Sequence, residues 1–266
     1  MARDATSGDI SSTTLKTATT TKTWDHTNSE LAYSQNGKLV IASAEDDSGS
    51  IGFADPEKNG FAYQTYGGWV DEKGGRLGAF SLGSETAKAD VPTSSTATFK
   101  GTAGGIYVDT VGYDVMSADA ALDVDFGDNT ARFRTNNTRL EAGGTAANLD
   151  MSGKLDIAAG GLSGNIATAD QSMSGTVDGR FYGSGAQEVG GTFDLKGNNA
   201  TMVGGYGTVS SHDSHRVHGR DAHRRRGYEL GRRHACRDRR QVQASPGRSR
   251  RRSAGQRDTK PPPPCN

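Results

Sequence analysis

Apolar and polar residues alternate along much of the first 210 residues of this chain. Leu122, Val124 and Phe126 occupy every second position of one stretch. Asp123 and Asp125 fill the positions between them. This two-residue period is typical of a β-strand with one buried face, whereas stripes with the helical period are absent. The body of the chain is therefore predicted to be all-β.

Two short breaks have the composition of hairpin turns. Residues 127–129, with the sequence Gly-Asp-Asn, separate the stretch above from a second alternating run at 131–135. Further upstream, Asn36 and Gly37 interrupt another alternating stretch. Asn-Gly is a strong hairpin signal because both central residues of a type I′ turn need positive φ. Each break therefore predicts a β-hairpin.

The same alternation recurs between glycine-rich and polar breaks along the rest of the body. It predicts further strands at 61–69, 76–82, 96–100, 105–109, 149–158, 162–167, 173–182, 191–195 and 202–209. Many short strands joined by short turns favour an antiparallel sandwich or barrel, and closure removes unpaired strand edges. About eight strands give a barrel that its interior side chains fill. We therefore predict an antiparallel up-and-down β-barrel of about eight strands.

Alternation alone does not distinguish a soluble barrel from a membrane barrel, whose apolar face contacts lipid. The short strands, the aromatic content of 7% and the absence of aromatic girdles favour the soluble barrel. A fragment of a membrane barrel or adhesin stays the alternative. No stretch approaches the roughly 18 apolar residues of a membrane helix. The chain as given is also expected to lack a signal peptide and a lipobox cysteine.

The formal net charge of zero is the sum of two parts of the chain with opposite net charge. Residues 1–210 contain 15 Lys and Arg against 26 Asp and Glu, and residues 211–266 contain 16 against 5. The two parts therefore carry −11 and +11. Both cysteines and five of the six histidines also follow residue 210. Such asymmetry predicts an appended segment.

Residues 210–266 are predicted to form an Arg- and His-rich disordered tail. One explanation is a change of reading frame near Val209, which the sudden preference for arginine over lysine and the closing proline run favour. The other is a genuine basic tail that binds nucleic acid or another polyanion through phosphate contacts. The histidines and cysteines of the tail lack the paired spacing of structural zinc sites.

One segment of the body resembles a known family. Residues 179–193 read GRFYGSGAQEVGGTF, which resembles the signature of the β-barrel domain of transferrin-binding protein B and its relatives, surface lipoproteins of Gram-negative bacteria. Weaker resemblance occurs at 61–69, at 99–107 and in the last strand at 202–208. Ser184 stands where the family usually has proline.

The signature is predicted to be structural and to bind no ligand. Gly183 and Gly185 permit a turn, and Gly190 and Gly191 permit a tight strand start. Phe181 and Phe193 are the expected inward residues. The full predicted set is Phe181, Tyr182, Gly183, Glu188, Gly190, Gly191 and Phe193.

The sequence contains no recognisable enzyme motif. Around its serines and glycines there is no nucleophile elbow, P-loop or dinucleotide fingerprint, and His26 is the only histidine of the body. Two sets of residues could supply oxygen ligands to a calcium ion, but neither set matches the EF-hand loop. They are Asp46, Asp47 and Asp55, and Asp125, Asp128 and Asn129. We predict no catalytic, cofactor-binding or metal-binding residue, and no cofactor.

The resemblance implies a non-enzymatic binding module at the outer-membrane surface, a monomer that captures an iron- or haem-carrying protein of the host or environment. Ligand contacts in the family lie mostly in variable loops and in a handle domain beside the barrel. The predicted organisation is a Thr- and Ser-rich segment with a β-hairpin at 1–55, a barrel at 56–209 and the tail at 210–266. The ligand-binding residues stay unknown from sequence.

Overall fold

The computed structural model describes residues 1–16, 21–46 and 48–211. These residues form three antiparallel sheets, which confirms the all-β prediction. The disorder predicted for residues 210–266 is wrong at Ser210, which ends the last strand of the barrel, and residues 212–266 lie outside the described residues.

The first two sheets lie in the N-terminal part of the chain. The three-stranded sheet consists of β1 (Ala2–Arg3), β2 (Ile10–Lys16) and β3 (Thr21–Asp25). The five-stranded sheet consists of β4 (Ser29–Tyr33), β5 (Leu39–Ala44), β6 (Ser50–Ala54), β7 (Gln64–Asp71) and β8 (Arg76–Gly83), in sequence order. A short helix, α1 (Pro56–Asn59), connects β6 to β7. The five-stranded sheet thus contains strands from both sides of the boundary predicted between residues 55 and 56.

The third sheet closes on itself. Its strands are β9 (Thr96–Val108), β10 (Tyr113–Asp125), β11 (Thr130–Leu140), β12 (Gly144–Thr145), β13 (Met151–Ala158), β14 (Gly161–Thr168), β15 (Met173–Tyr182), β16 (Glu188–Gly197) and β17 (Thr201–Ser210). Apart from the two-residue β12, each strand pairs with two neighbours, and β17 pairs with β9. Eight long strands therefore form the closed antiparallel barrel that the sequence predicted.

The barrel interior is an apolar core, as the alternation of the strands requires. Leu122 and Phe133 are fully buried and face each other across β10 and β11. Asp123 lies on the outer face, where it pairs with Arg134 and accepts a hydrogen bond from Thr98 Oγ1.

Some local predictions were wrong. The break predicted at residues 101–104 does not exist, because their small side chains continue β9 between β10 and β17. The hairpin at Asn36 and Gly37 is present as β4–β5, but only Gly37 has positive φ, at 69°. Five residues, 34–38, connect the two strands, and Asn36 Oδ1 accepts hydrogen bonds from the Lys38 N–H and the Ser34 hydroxyl.

Candidate functional site

The five-stranded sheet packs against the outer wall of the barrel at β9, β16 and β17, and glycines allow this close approach. A Cβ atom added at Gly205 would lie 2.9 Å from the Tyr66 Cβ atom. One added at Gly207 would lie 2.8 Å from the Phe61 ring. The glycines of β17 therefore provide a flat surface that the side chains of Phe61 and Tyr66 contact.

Glu188, the first residue of β16, binds the segment that leads into β7. Its carboxylate accepts hydrogen bonds from the N–H groups of Ala62, at 2.6 Å, and Tyr63, at 3.3 Å. The side chain is buried, and burial raises its pKa above the ordinary value. Beside it, the Gln64 side-chain amide donates to the Val189 carbonyl at 3.0 Å. Barrel and sheet are therefore joined by polar contacts as well as by packing.

A short hydroxyl chain continues this joint toward α1. The Tyr66 hydroxyl donates to Thr102 Oγ1 at 2.7 Å, and the Thr102 hydroxyl donates to Asn59 Oδ1 at 2.6 Å. Burial raises the pKa of Tyr66, which keeps the phenol protonated and able to donate. These two hydrogen bonds connect the five-stranded sheet, the barrel and α1, and the bond between Tyr66 and Thr102 is buried.

The signature segment lies at this joint. Phe181 and Phe193 point into the barrel core. Tyr182 points outward, and its hydroxyl lies 2.9 Å from Ser81 Oγ on β8. Gly183 has a left-handed φ of 85° at the turn that follows β15. That the signature folds the barrel and binds no ligand stays a prediction.

Gly190 and Gly191 allow close backbone contact on β16. A Cβ atom at Gly190 would collide with Gln64 Oε1, and one at Gly191 would collide with the Asp178 carbonyl oxygen. The paired glycines therefore fit both the joint with the second sheet and the spacing within the barrel.

The acidic residues considered as cation ligands have other partners. Asp55 is buried, pairs with Arg3 at 2.5 Å, accepts from the Tyr33 hydroxyl at 2.8 Å and caps α1. Asp125 Oδ1 accepts from the N–H groups of its own turn. Within the described ranges, no group of three or more His, Cys, Asp and Glu side chains is arranged to hold a metal ion. Asp47 lies outside those ranges.

Two large hydrophobic side chains are exposed at the loop between β9 and β10. Val111, in the loop between β9 and β10, is 94% exposed, and the neighbouring Tyr113 is 48% exposed. Asp109 Oδ1 accepts from the N–H groups of Val111, at 2.8 Å, and Gly112, at 3.2 Å. The Tyr113 hydroxyl donates to Glu72 Oε1 on the β7–β8 loop at 2.8 Å. The loop is thereby held in shape and joined to the second sheet.

Acidic side chains accompany this loop. Asp114 accepts from the N–H groups of Ala142 and Gly143 on the loop after β11. From that loop, Glu141 accepts from the Gln35 N–H. Among the residues described, Glu72, Asp109, Asp114 and Glu141 take part in no salt bridge.

We name this patch the loop surface, and it consists of Glu72, Asp109, Val111, Tyr113, Asp114 and Glu141. None of these residues was predicted from the sequence to have a functional role. The available signal was an apolar valine inside the otherwise turn-forming sequence Asp-Thr-Val-Gly.

A second concave feature, the β8 groove, runs between β8 and the outer wall of the barrel. Leu77, Ala79 and Ser81 line it on the side of β8, and Thr176, Asp178, Thr192 and Asp194 line it on the side of the barrel. It comprises two adjoining cavities of about 440 and 420 Å³, and Asp178 and Thr192 line both.

No helix within residues 1–16, 21–46 and 48–211 has the length and hydropathy needed to cross a membrane.

Comparison with solved structures shows related folds. The chain matches a single-substitution mutant of transferrin-binding protein B from Haemophilus parasuis Hp5 with 17% identity and a TM-score of 0.50, over 74% of this chain and 40% of that one. It matches the isotype 1 protein from serogroup B Neisseria meningitidis with 19% identity and a TM-score of 0.47, over 64% and 34%. The chain thus spans two fifths or less of these two proteins.

A third match is the N-lobe domain of lactoferrin-binding protein B from Moraxella bovis, with 11% identity and a TM-score of 0.41, over 68% of this chain and 96% of that one. Comparison with curated proteins finds no match. The family described as the C-lobe and N-lobe β-barrels of Tf-binding protein B matches residues 91–210, which contain all eight barrel strands. Residues 91–210 of this chain therefore belong to the transferrin-binding protein B β-barrel family.

Proposed function

We propose that this chain is a non-enzymatic binding module that holds a partner protein by its loop surface. The observation that carries the proposal is the exposure of Val111, at 94%, on a loop that Asp109 holds in shape. Pre-organised loops lose little conformational entropy on binding, and a central apolar group with a polar rim is typical of protein interfaces. Membership of a family of barrel domains from binding proteins supports the same function.

The charge of the loop surface favours a basic partner. Its four carboxylates form no salt bridge in the described part of the chain, and residues 1–210 as a whole carry −11. Complementary charge accelerates association and makes it sensitive to ionic strength. The partner is therefore expected to present a positive patch around an apolar pocket.

Within this function, the partner is an iron- or haem-carrying protein, and the module acts at the outer-membrane surface. This assignment is supported by resemblance to the family and by the names of two similar proteins, a transferrin-binding and a lactoferrin-binding protein.

The first prediction concerns Val111. The immobilised full chain is exposed to transferrin, lactoferrin, haemoglobin and haem, and dissociation constants are measured at two salt concentrations. Val111→Asp introduces a charge into the apolar centre and should weaken binding of the recognised protein at least tenfold. Leu82→Asp is the matched control, because Leu82 is 54% exposed on β8, away from the loop surface.

Equal weakening by the two substitutions would contradict the proposed site. Failure of all four candidates to bind would contradict the iron- or haem-carrier assignment. Binding that is insensitive to salt would contradict the role given to the carboxylates.

A further inference from the structure

The strand β8 is the edge of the five-stranded sheet and pairs only with β7. The Ser84 N–H donates to the Tyr63 carbonyl at 2.9 Å, so these two residues form a hydrogen-bonded pair. In an antiparallel ladder every second pair is hydrogen-bonded, so Leu82, Phe80 and Gly78 direct their backbone groups toward β7. The backbone groups of Leu77, Ala79 and Ser81 are therefore directed away from β7, toward the β8 groove. Within the described part of the chain, no backbone group pairs with them.

The β8 groove is bounded where β8 ends. Beyond Gly83 the chain turns to the barrel, where Glu85 bridges to Tyr182 and the Thr86 N–H donates to the Phe181 carbonyl at 2.8 Å. The Ser81–Tyr182 hydrogen bond closes the same end. The remaining length of β8 borders the open cavities, and its sequence contains none of the prolines that commonly protect an edge strand.

The barrel wall opposite β8 supplies polar and charged groups, of which Asp194 and Lys196 line one of the two cavities. Asp178 is exposed, lines both cavities and has no salt bridge among the residues described. The nearby Arg180 lies 4.0 Å from Glu85 at the closed end, so its charge is directed there. A cationic side chain placed over the middle of the groove would find Asp178 unpaired.

We propose that the β8 groove binds an extended polypeptide segment of another protein as an added strand on β8, with a lysine or arginine over Asp178. Unpaired backbone groups give such a strand its affinity, and the side chains that point at the wall give selectivity. Three alternate free positions on β8 correspond to a bound segment of about five to seven residues. This inference is independent of the proposed function, because the loop surface contributes no residue to the β8 groove.

The test uses the isotopically labelled full chain and a blocked octapeptide in which threonine and valine alternate around one central lysine. Addition of the peptide should slow the hydrogen exchange of the Leu77, Ala79 and Ser81 amides at least tenfold. The same peptide with glutamate in place of lysine should bind at least tenfold more weakly. Peptides that are N-methylated on the odd or on the even residues should differ in affinity, since only one of the two sets of N–H groups faces β8.

Two variants of the chain complete the test. Ala79→Pro removes a donor that faces the groove, and Asp178→Asn removes the central charge. The first should weaken binding of the lysine peptide at least tenfold. The second should reduce the preference for lysine over glutamate at least fivefold, while its thermal unfolding stays that of the parent. Leu82→Asp is again the control and should bind like the parent.

Unchanged exchange of the three amides in the presence of the lysine peptide would overturn the proposal. Equal binding of the lysine and glutamate peptides to the parent chain would also overturn it. Because both readouts use the parent chain, a failure of the Ala79→Pro variant to fold leaves the proposal testable.

Discussion

Glu188 shows how one residue joins two parts of this structure. Its carboxylate is buried and accepts from the N–H groups of Ala62 and Tyr63, in the segment that leads into β7 of the other sheet. These bonds give the buried carboxylate hydrogen-bond donors, which a buried charged group requires. The raised pKa shows that burial of the charge outweighs the hydrogen bonds that favour it.

The pKa of Glu188 gives a prediction with a definite sign. In the folded chain its pKa is raised above the ordinary 4.5, so the folded state takes up the proton before the unfolded state does as pH falls. The stabilisation that results is complete below about pH 4.5 and is lost as pH rises through the folded pKa. Glu188→Gln cannot titrate. Urea unfolding should therefore show the free energy of unfolding of the parent, relative to this variant, increasing from about pH 7 to pH 4.5. A difference independent of pH would contradict the assignment.

At the scale of elements, the contact between β17 and β7 depends on glycine. Gly205 has the Tyr66 Cβ atom 2.9 Å and the Gly191 carbonyl oxygen 3.0 Å from the position of an added Cβ. One neighbour is a buried ring system and the other is backbone, so neither yields easily. The methyl group of an alanine at position 205 therefore has no room.

Gly205→Ala should lower the free energy of unfolding by about 1–3 kcal/mol. Gly185→Ala is the matched control, because the nearest atom to its added Cβ is Gln187 Oε1 at 4.0 Å and Gly185 is not left-handed. The control should stay within about 0.5 kcal/mol of the parent. Chemical denaturation of both variants measures this, and equal stability would count against the role of the glycine surface.

The sequence predicted the strands of the barrel well and the arrangement around it poorly. Alternation at Leu122 and Val124 identifies an inner face, because a barrel wall buries one face in a strict period of two. The same rule fails at residues 101–104, because their glycines give the pattern of a break. Gly104 is required by contact with Leu39 of the sheet packed outside, and Gly101 by the close backbone of β17. Contacts between distant segments, such as Glu188 with Ala62, leave no local pattern. Val111 was missed for a different reason, since one exposed valine has no periodicity.

At the scale of the whole molecule, the opposite charges of the two parts predict separate behaviour. Residues 211–266 carry +11, enough to attract a polyanion by phosphate contacts whatever their origin. Residues 1–210 carry −11 and should repel the same polymer.

Deletion of residues 212–266 should therefore abolish binding to a DNA duplex of about 20 base pairs. The full chain should bind it, with an affinity that falls steeply as salt increases. Fluorescence anisotropy at several salt concentrations measures both. The shortened chain should keep its affinity for the partner of the loop surface, and DNA binding that survives the deletion would contradict this division.

The pairing of the first barrel strand with the last also determines when the barrel is completed during synthesis. Ser210 pairs with Phe99, and Thr201 pairs with Val108. During synthesis on the ribosome, β9 therefore cannot pair with its second neighbour until β17 has emerged from the exit tunnel. A translational stop before Thr201 would leave the edges of β9 and β16 open to intermolecular pairing. A change of reading frame after Ser210, by contrast, would spare every residue of the closed wall.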